Sequence, residues 1–127
     1  MGHRVLLMDD EKAICEITGI ILKKLGYDPV VTSTGEEALM EYKKAVDNGT
    51  RFDVVILDLA IPGGMGGQET LDNLKKIDPG VKALVSSGNL SDPAVISYAD
   101  HGFAGILIKP YNKGDIDNVI KRVIEQK

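Results

Sequence analysis

Residues 4–26 read RVLLMDDEKAICEITGIILKKLG. Arg4 to Met8 is a short apolar run of strand length, broken by Asp9, Asp10 and Glu11. After the acidic triplet, Ile14, Ile17, Ile21 and Leu25 recur at helical spacing, and Gly26 stands where a helix C-terminal cap is expected. A strand that passes through a polar turn into an amphipathic helix is the opening of a βαβ unit, and the pattern repeats along the chain. Further strands are predicted at Pro29 to Thr32, Val54 to Leu57, Lys82 to Ser86 and Phe103 to Ile108. Several are nearly continuous apolar runs, as strands covered on both faces are.

Helical patterns fill the gaps. The second helix opens at Ser33 or Thr34 and turns Ala38, Leu39, Tyr42 and Val46 inward. A third carries Leu71, Leu74 and Ile77 and stops before Pro79 and Gly80; a fourth begins with Asp92 and Pro93 but has only a weak stripe of Val95, Ile96, Tyr98 and Ala99. The last has Ile116, Val119, Ile120 and Val123 on one side. Five such units with right-handed crossovers predict an α/β fold, a doubly wound, flavodoxin-like five-stranded parallel sheet of strand order 2-1-3-4-5 with five helices.

The chain has 127 residues, 43% of them apolar, which suits one domain spanning 1–127. Its net charge of −4 argues against nucleic acid as a direct partner, because phosphate backbones are gripped by clustered Lys and Arg. The single cysteine, Cys15, excludes an intramolecular disulfide and, beside Ile14 and Ile17, is expected to be buried. No apolar run approaches the ~20 residues of a membrane span, and a secretory signal pattern is absent. A cytoplasmic location is therefore expected.

In the predicted sheet the first and third strands are central neighbours, and ligands bind beyond their carboxyl ends. Asp9 and Asp10 follow the first of these, and Asp58 follows the third. Three like charges in one pocket require compensation. Lys109, at the end of the fifth strand, supplies one positive charge, and a divalent cation balances the remainder. Oxygen ligands favour Mg²⁺, which takes a phosphate oxygen readily. With no serine-hydrolase or cysteine-nucleophile pattern present, Asp58 is the best candidate nucleophile. Ser86 and Ser87 end the fourth strand, so either could bring a hydroxyl to a phosphoryl oxygen.

Met-Asp-Asp-Glu at 8–11, Asp58 followed by Pro62 and Gly66, Ser-Gly at 87–88 and Lys-Pro at 109–110 together resemble the receiver domains of two-component signalling. The resemblance spans essentially the whole chain. It implies a phosphorylation-controlled switch in which Asp58 accepts a phosphoryl group from a histidine kinase, a histidine phosphotransfer protein or a small phosphodonor. It further implies that Asp10, Asp58 and the Ala60 carbonyl bind Mg²⁺, with Asp9 acting largely through water. Lys109 would contact the phosphoryl group, and Ser87 rather than Ser86 would follow it. Asp92-Pro93, Gly102-Phe103 and Lys109-Pro110-Tyr111 are similar to receivers attached to hybrid sensor kinases.

One position departs from the family pattern: Ile106 stands three residues before Lys109, where an aromatic side chain is usual. The resemblance also points to Ala60 and Asn89 as residues that set the phosphoryl lifetime. Catalysis is expected to be confined to the domain's own phosphorylation and dephosphorylation, and a dimer formed on phosphorylation is a further expectation. A phosphohydrolase would need a second acid-base carboxylate two residues after Asp58, where Ala60 stands; a docking module would need no Mg²⁺. The glycines at 63, 64, 66 and 67 lack the Lys-Ser or Lys-Thr of a nucleotide loop and are expected to form a mobile segment beside Asp58. His3 and His101 lack metal-ligand spacing.

Overall fold

Five parallel strands, β1 (Arg4–Met8), β2 (Asp28–Thr32), β3 (Val54–Asp58), β4 (Ala83–Ser87) and β5 (Gly105–Ile108), form one sheet in the order 2-1-3-4-5. The computed structural model describes residues 3–61 and 63–125. Helices α1 (Lys12–Lys24), α2 (Gly35–Asp47), α3 (Gly67–Ile77), α4 (Pro93–Ile96) and α5 (Lys113–Glu125) alternate with the strands. The doubly wound architecture read from the sequence is the one observed.

The core has two layers because alternate strand residues face opposite sides of the sheet. On one face Leu6, Met8, Val55, Leu57, Ala83 and Val85 pack with Ala38, Tyr42, Leu71 and Leu74. On the other, Val5, Leu7, Val54, Ile56, Leu84 and Leu107 pack with Cys15, Leu22, Ile116 and Ile120. Each fully buried Leu or Ile contributes about 1.5–3 kcal/mol relative to exposure, so these runs hold the sheet's central strands together.

Local signals set the helix ends. Thr34 Oγ1 accepts from Glu37 N–H at 3.1 Å, while Glu37 Oε1 accepts from Ser33 N–H and Oγ–H, a reciprocal cap that starts α2. Asp92 caps α4 through Ala94 N–H, with Pro93 in its first turn. After Leu25, Gly26 adopts φ +92, the left-handed conformation that ends α1 cheaply only with glycine.

The inward face of α1 differs from the expected stripe. Cys15, Thr18 and Leu22 are its buried residues, whereas Ile17 is 60% exposed and Ile14 and Ile21 are half-buried. The helix offers apolar residues around most of its circumference, and packing against the sheet selects the face centred on Leu22. The strand ends also shift. β5 begins at Gly105 rather than Phe103, because Phe103 leaves the ladder to bury its ring in the other core layer. α4 is a single turn with Ala94 and Val95 buried and Ile96 exposed, and turns continue from it to Gly102.

Candidate functional site

Parallel register brings the acidic residues together. Met8 pairs with Leu57 and Asp58 with Ser86, so β1, β3 and β4 end level with one another at their carboxyl edge. Asp9 leaves β1 still bonded to the sheet, its N–H donating to Thr32 O at 3.1 Å, and its Oδ1 accepts from Glu11 N–H at 2.9 Å. Carboxylate oxygens of Asp9, Asp10 and Asp58 all lie within 4.8 Å of one another, with Asp9 and Asp58 buried and Asp10 exposed.

Lys109 reaches this cluster from β5. Its Nζ stands 2.9 Å from Asp9 Oδ2, 3.4 Å from Asp58 Oδ1 and 3.6 Å from Glu11 Oε1. Burial by itself would push the Lys109 ammonium pKa down, but Asp9 and Asp58 outweigh it, and the net shift is upward. Lys109 therefore stays charged. Asp58 is pushed up to about 6, first by burial and then by the Asp9 charge, with Lys109 only partly offsetting both. Asp9 Oδ2 is buried and makes no hydrogen bond of good geometry, its approach to Lys109 being ionic.

Among the described residues, Lys109 is the ammonium within ion-pair distance of the cluster, reaching Asp9 and Asp58, so the three carboxylates are short of positive charge. An all-oxygen donor set with two buried members and an exposed third suits a hard divalent ion that retains part of its water shell. The residues present fit Mg²⁺.

Two expected residues are placed less directly. Ser87 is buried at the end of β4, where its carbonyl accepts from Lys109 N–H at 2.9 Å and its Oγ accepts from Asn89 N–H at 3.0 Å. Its hydroxyl is engaged in its own loop rather than with the acidic cluster. Ala60 is exposed in the loop after β3, and Pro62 lies outside the described residues. Of the glycines expected to be mobile, Gly66 and Gly67 are instead packed on backbone. A Cβ on Gly66 would come within 2.7 Å of Leu59 O, and Gly67 N–H donates to that carbonyl at 3.2 Å. Close approach, not mobility, is why small residues start α3.

Sequence reasoning did not single out Glu11 as a partner of Lys109, nor Thr18 as a buried hydroxyl facing Tyr111 at 3.3 Å. A Thr on the buried side of an apolar helix was the available signal for the second.

An α/β sheet carrying clustered carboxylates and an ammonium at its switch-point edge is suited to handling a phosphoryl group. The family model of the response regulator receiver domain matches residues 5–121, and the chain belongs to that family. A response regulator receiver protein of an Anaeromyxobacter strain is 34% identical over 108 residues, covering 85% of this chain and 43% of its own. The chain thus spans less than half of that relative's length. The chemotaxis protein CheY of Thermotoga maritima is 29% identical over 124 residues, covering 97% of this chain and 98% of its own. The receiver domain of a sensor histidine kinase from Pseudomonas aeruginosa, solved with a magnesium ion coordinated in its active-site cleft, superposes with a TM-score of 0.85 at 18% identity, covering 99% of this chain and all of that one. As a receiver, this chain is a phosphorylation-controlled switch that accepts a phosphoryl group on an aspartate in a Mg²⁺-dependent reaction and relays a conformational change. Among the described residues, no helix is long and apolar enough to cross a membrane.

Proposed function

We propose that Asp58 is the phosphoacceptor, that Asp9, Asp10, Asp58 and the Ala60 carbonyl hold Mg²⁺, directly or through water, and that Lys109 and Ser87 contact the transferred group. The observation that carries this reading is the Lys109 ammonium, 2.9 Å from Asp9 and 3.4 Å from Asp58 inside an acidic cluster that one cation leaves under-compensated.

The donor is a phosphohistidine of a kinase or phosphotransfer protein. As the Asp58 Oδ–P bond forms, the P–N bond of the phosphoimidazole breaks, and the departing imidazole keeps the electron pair and takes up a proton. Charge spreads over the equatorial phosphoryl oxygens during transfer. The Lys109 ammonium stabilises one of them, moving from its contact with Asp58 to the anion that Asp58 carries. When bound, Mg²⁺ supplies further positive charge at these oxygens. The Ser87 hydroxyl, now occupied by Asn89 N–H, rotates to donate to a phosphoryl oxygen and draws its loop and α4 with it. Because α4 is one turn with few buried residues, it is the element least costly to move. Ile106 stands where the family places an aromatic side chain, so the relay runs through the Ser87 loop and α4.

Residues 1–127 act as one receiver domain in the cytoplasm, with no turnover of free phosphate esters, and the face of α4, β5 and α5 is where a phosphorylation-dependent dimer would form. The test is incubation with acetyl phosphate and Mg²⁺, followed by intact mass beside Asp58→Asn. A gain of one phosphoryl group that is lost in the variant and with chelator supports the assignment. Equal gain in the variant overturns it.

A further inference from the structure

Lys109 is delivered by a short segment between β5 and α5 whose two ends are well anchored. At one end Lys109 N–H donates to Ser87 O at 2.9 Å. At the other, Asn112 and Asp115 exchange hydrogen bonds of 3.0 and 2.9 Å that cap α5. Between them, Pro110 has no N–H to give, and an open groove lined by Ile14, Ile17, Pro110 and Tyr111 separates the segment from the outer side of α1. Ile17, largely exposed, does not close the groove from the α1 side, and the Tyr111 ring packs instead against the core layer that holds Cys15 and Leu22.

A pair of hydroxyls spans the gap. Tyr111 OH lies 3.3 Å from Thr18 Oγ1, and Thr18 is buried in the middle of α1 on the face that packs against the sheet. Ser86, next to Asp58 in register, has a buried Oγ without a well-formed hydrogen bond and is close enough to Tyr111 to influence its hydroxyl. α1 starts directly after Asp9, Asp10 and Glu11, and Tyr111 follows Lys109 by two residues.

We infer that the Thr18–Tyr111 hydroxyl contact is a tether that sets the separation of Lys109 from the carboxylates leading into α1, making Tyr111 a positioning residue for phosphoryl transfer. This rests on the reading of Lys109 as the group that meets the phosphoryl oxygens. A misplaced ammonium stabilises the transferring group less while leaving donor binding intact. Tyr111→Phe and Thr18→Val each delete one partner with little change in volume. Loss of one neutral hydrogen bond corresponds to about a fivefold change.

The experiment measures the initial rate of phosphoryl gain from acetyl phosphate with saturating Mg²⁺, in the full chain and in variants whose folded fraction is confirmed by urea titration. Each single variant should lower the maximal rate about fivefold with half-saturation little changed. The double variant should be no slower than either single one, because the two share one bond. In a Lys109→Ala background, Tyr111→Phe should have no further effect. Amide signals of Asp9 and Lys109 in metal-free Tyr111→Phe should move. Unchanged rates, or the same slowing without Lys109, would overturn the tether. If the wild type gains no phosphoryl group, the functional reading fails, and the amide signals then decide the tether alone: unmoved signals overturn it and moved signals uphold it.

Discussion

Gly67 stands so close to Asp58 that a Cβ on the glycine would come within 2.7 Å of the Asp58 carbonyl oxygen. Both partners are backbone, one at the start of α3 and the other at the end of a fully buried strand, so neither can yield without moving its element. Gly67→Ala should therefore cost about 1–3 kcal/mol, against the gain of up to about 1 kcal/mol that alanine brings to an unhindered helix position.

Gly19→Ala should go the other way. A Cβ there meets only Val31 Cγ2 at 3.6 Å, an ordinary contact, within α1. A gain of about 0.5–1 kcal/mol is expected. Urea titrations of both variants check the pair; Gly67→Ala at wild-type stability would show that the β3–α3 junction yields easily.

Asp58→Asn should stabilise the metal-free chain at neutral pH. The folded-state pKa of about 6 lies above the ordinary carboxylate value of 3.8, so the folded protein binds the proton more tightly than the unfolded chain does. Stability from this group is thus lost as pH rises from about 4 to 6 and stays lost above that. The asparagine variant should lead by about 2–3 kcal/mol at pH 7.5, converge with the wild type near pH 4, and be overtaken as Mg²⁺ is added to the wild type. Urea titrations in chelator across that range test this. A wild type as stable as the variant at pH 7.5 would mean the cluster carries no strain of charge.

Lys109→Ala should separate metal binding from phosphoryl transfer. Removing the ammonium leaves the three clustered carboxylates without the Lys109 cation, so Mg²⁺ should bind several-fold more tightly at low salt. Phosphorylation should nonetheless slow by about tenfold or more. Calorimetric titration with Mg²⁺ gives the first quantity and intact mass against time the second; weaker Mg²⁺ binding would show that Lys109 holds the carboxylates in place.

Tyr42→Phe tests a polar contact remote from the site. The Tyr42 hydroxyl donates to Asp78 Oδ2 at 2.7 Å in the core, and burial first, then Asp78, pushes its pKa upward. Arg51, 3.7 Å from the same carboxylate, is mostly exposed and compensates little. The variant should lose about 1–3 kcal/mol with its phosphorylation rate unchanged, as thermal unfolding and mass measurements would show.

The sequence alone determined the alternation of elements, since continuous apolar runs and helical stripes reflect burial that each segment needs wherever it docks. It also placed Asp9, Asp10, Asp58 and Lys109 at strand ends, because polar residues that interrupt a buried strand mark where it leaves the sheet. Tertiary structure alone decided the rest. α1 has apolar residues on most sides, and only packing against β1 and β2 turned Cys15, Thr18 and Leu22 inward and left Ile17 outside. The glycines at 66 and 67 looked mobile because local composition cannot reveal a neighbouring backbone so close that an added Cβ would come within 2.7 Å of its carbonyl oxygen. The Lys109 contacts with Asp9 and Asp58 depend on the registers of four strands distant in sequence. The charge imbalance at Asp58 exists only when those registers hold, because burial first and then the nearby Asp9 charge push the Asp58 pKa up, and the folded sheet imposes both.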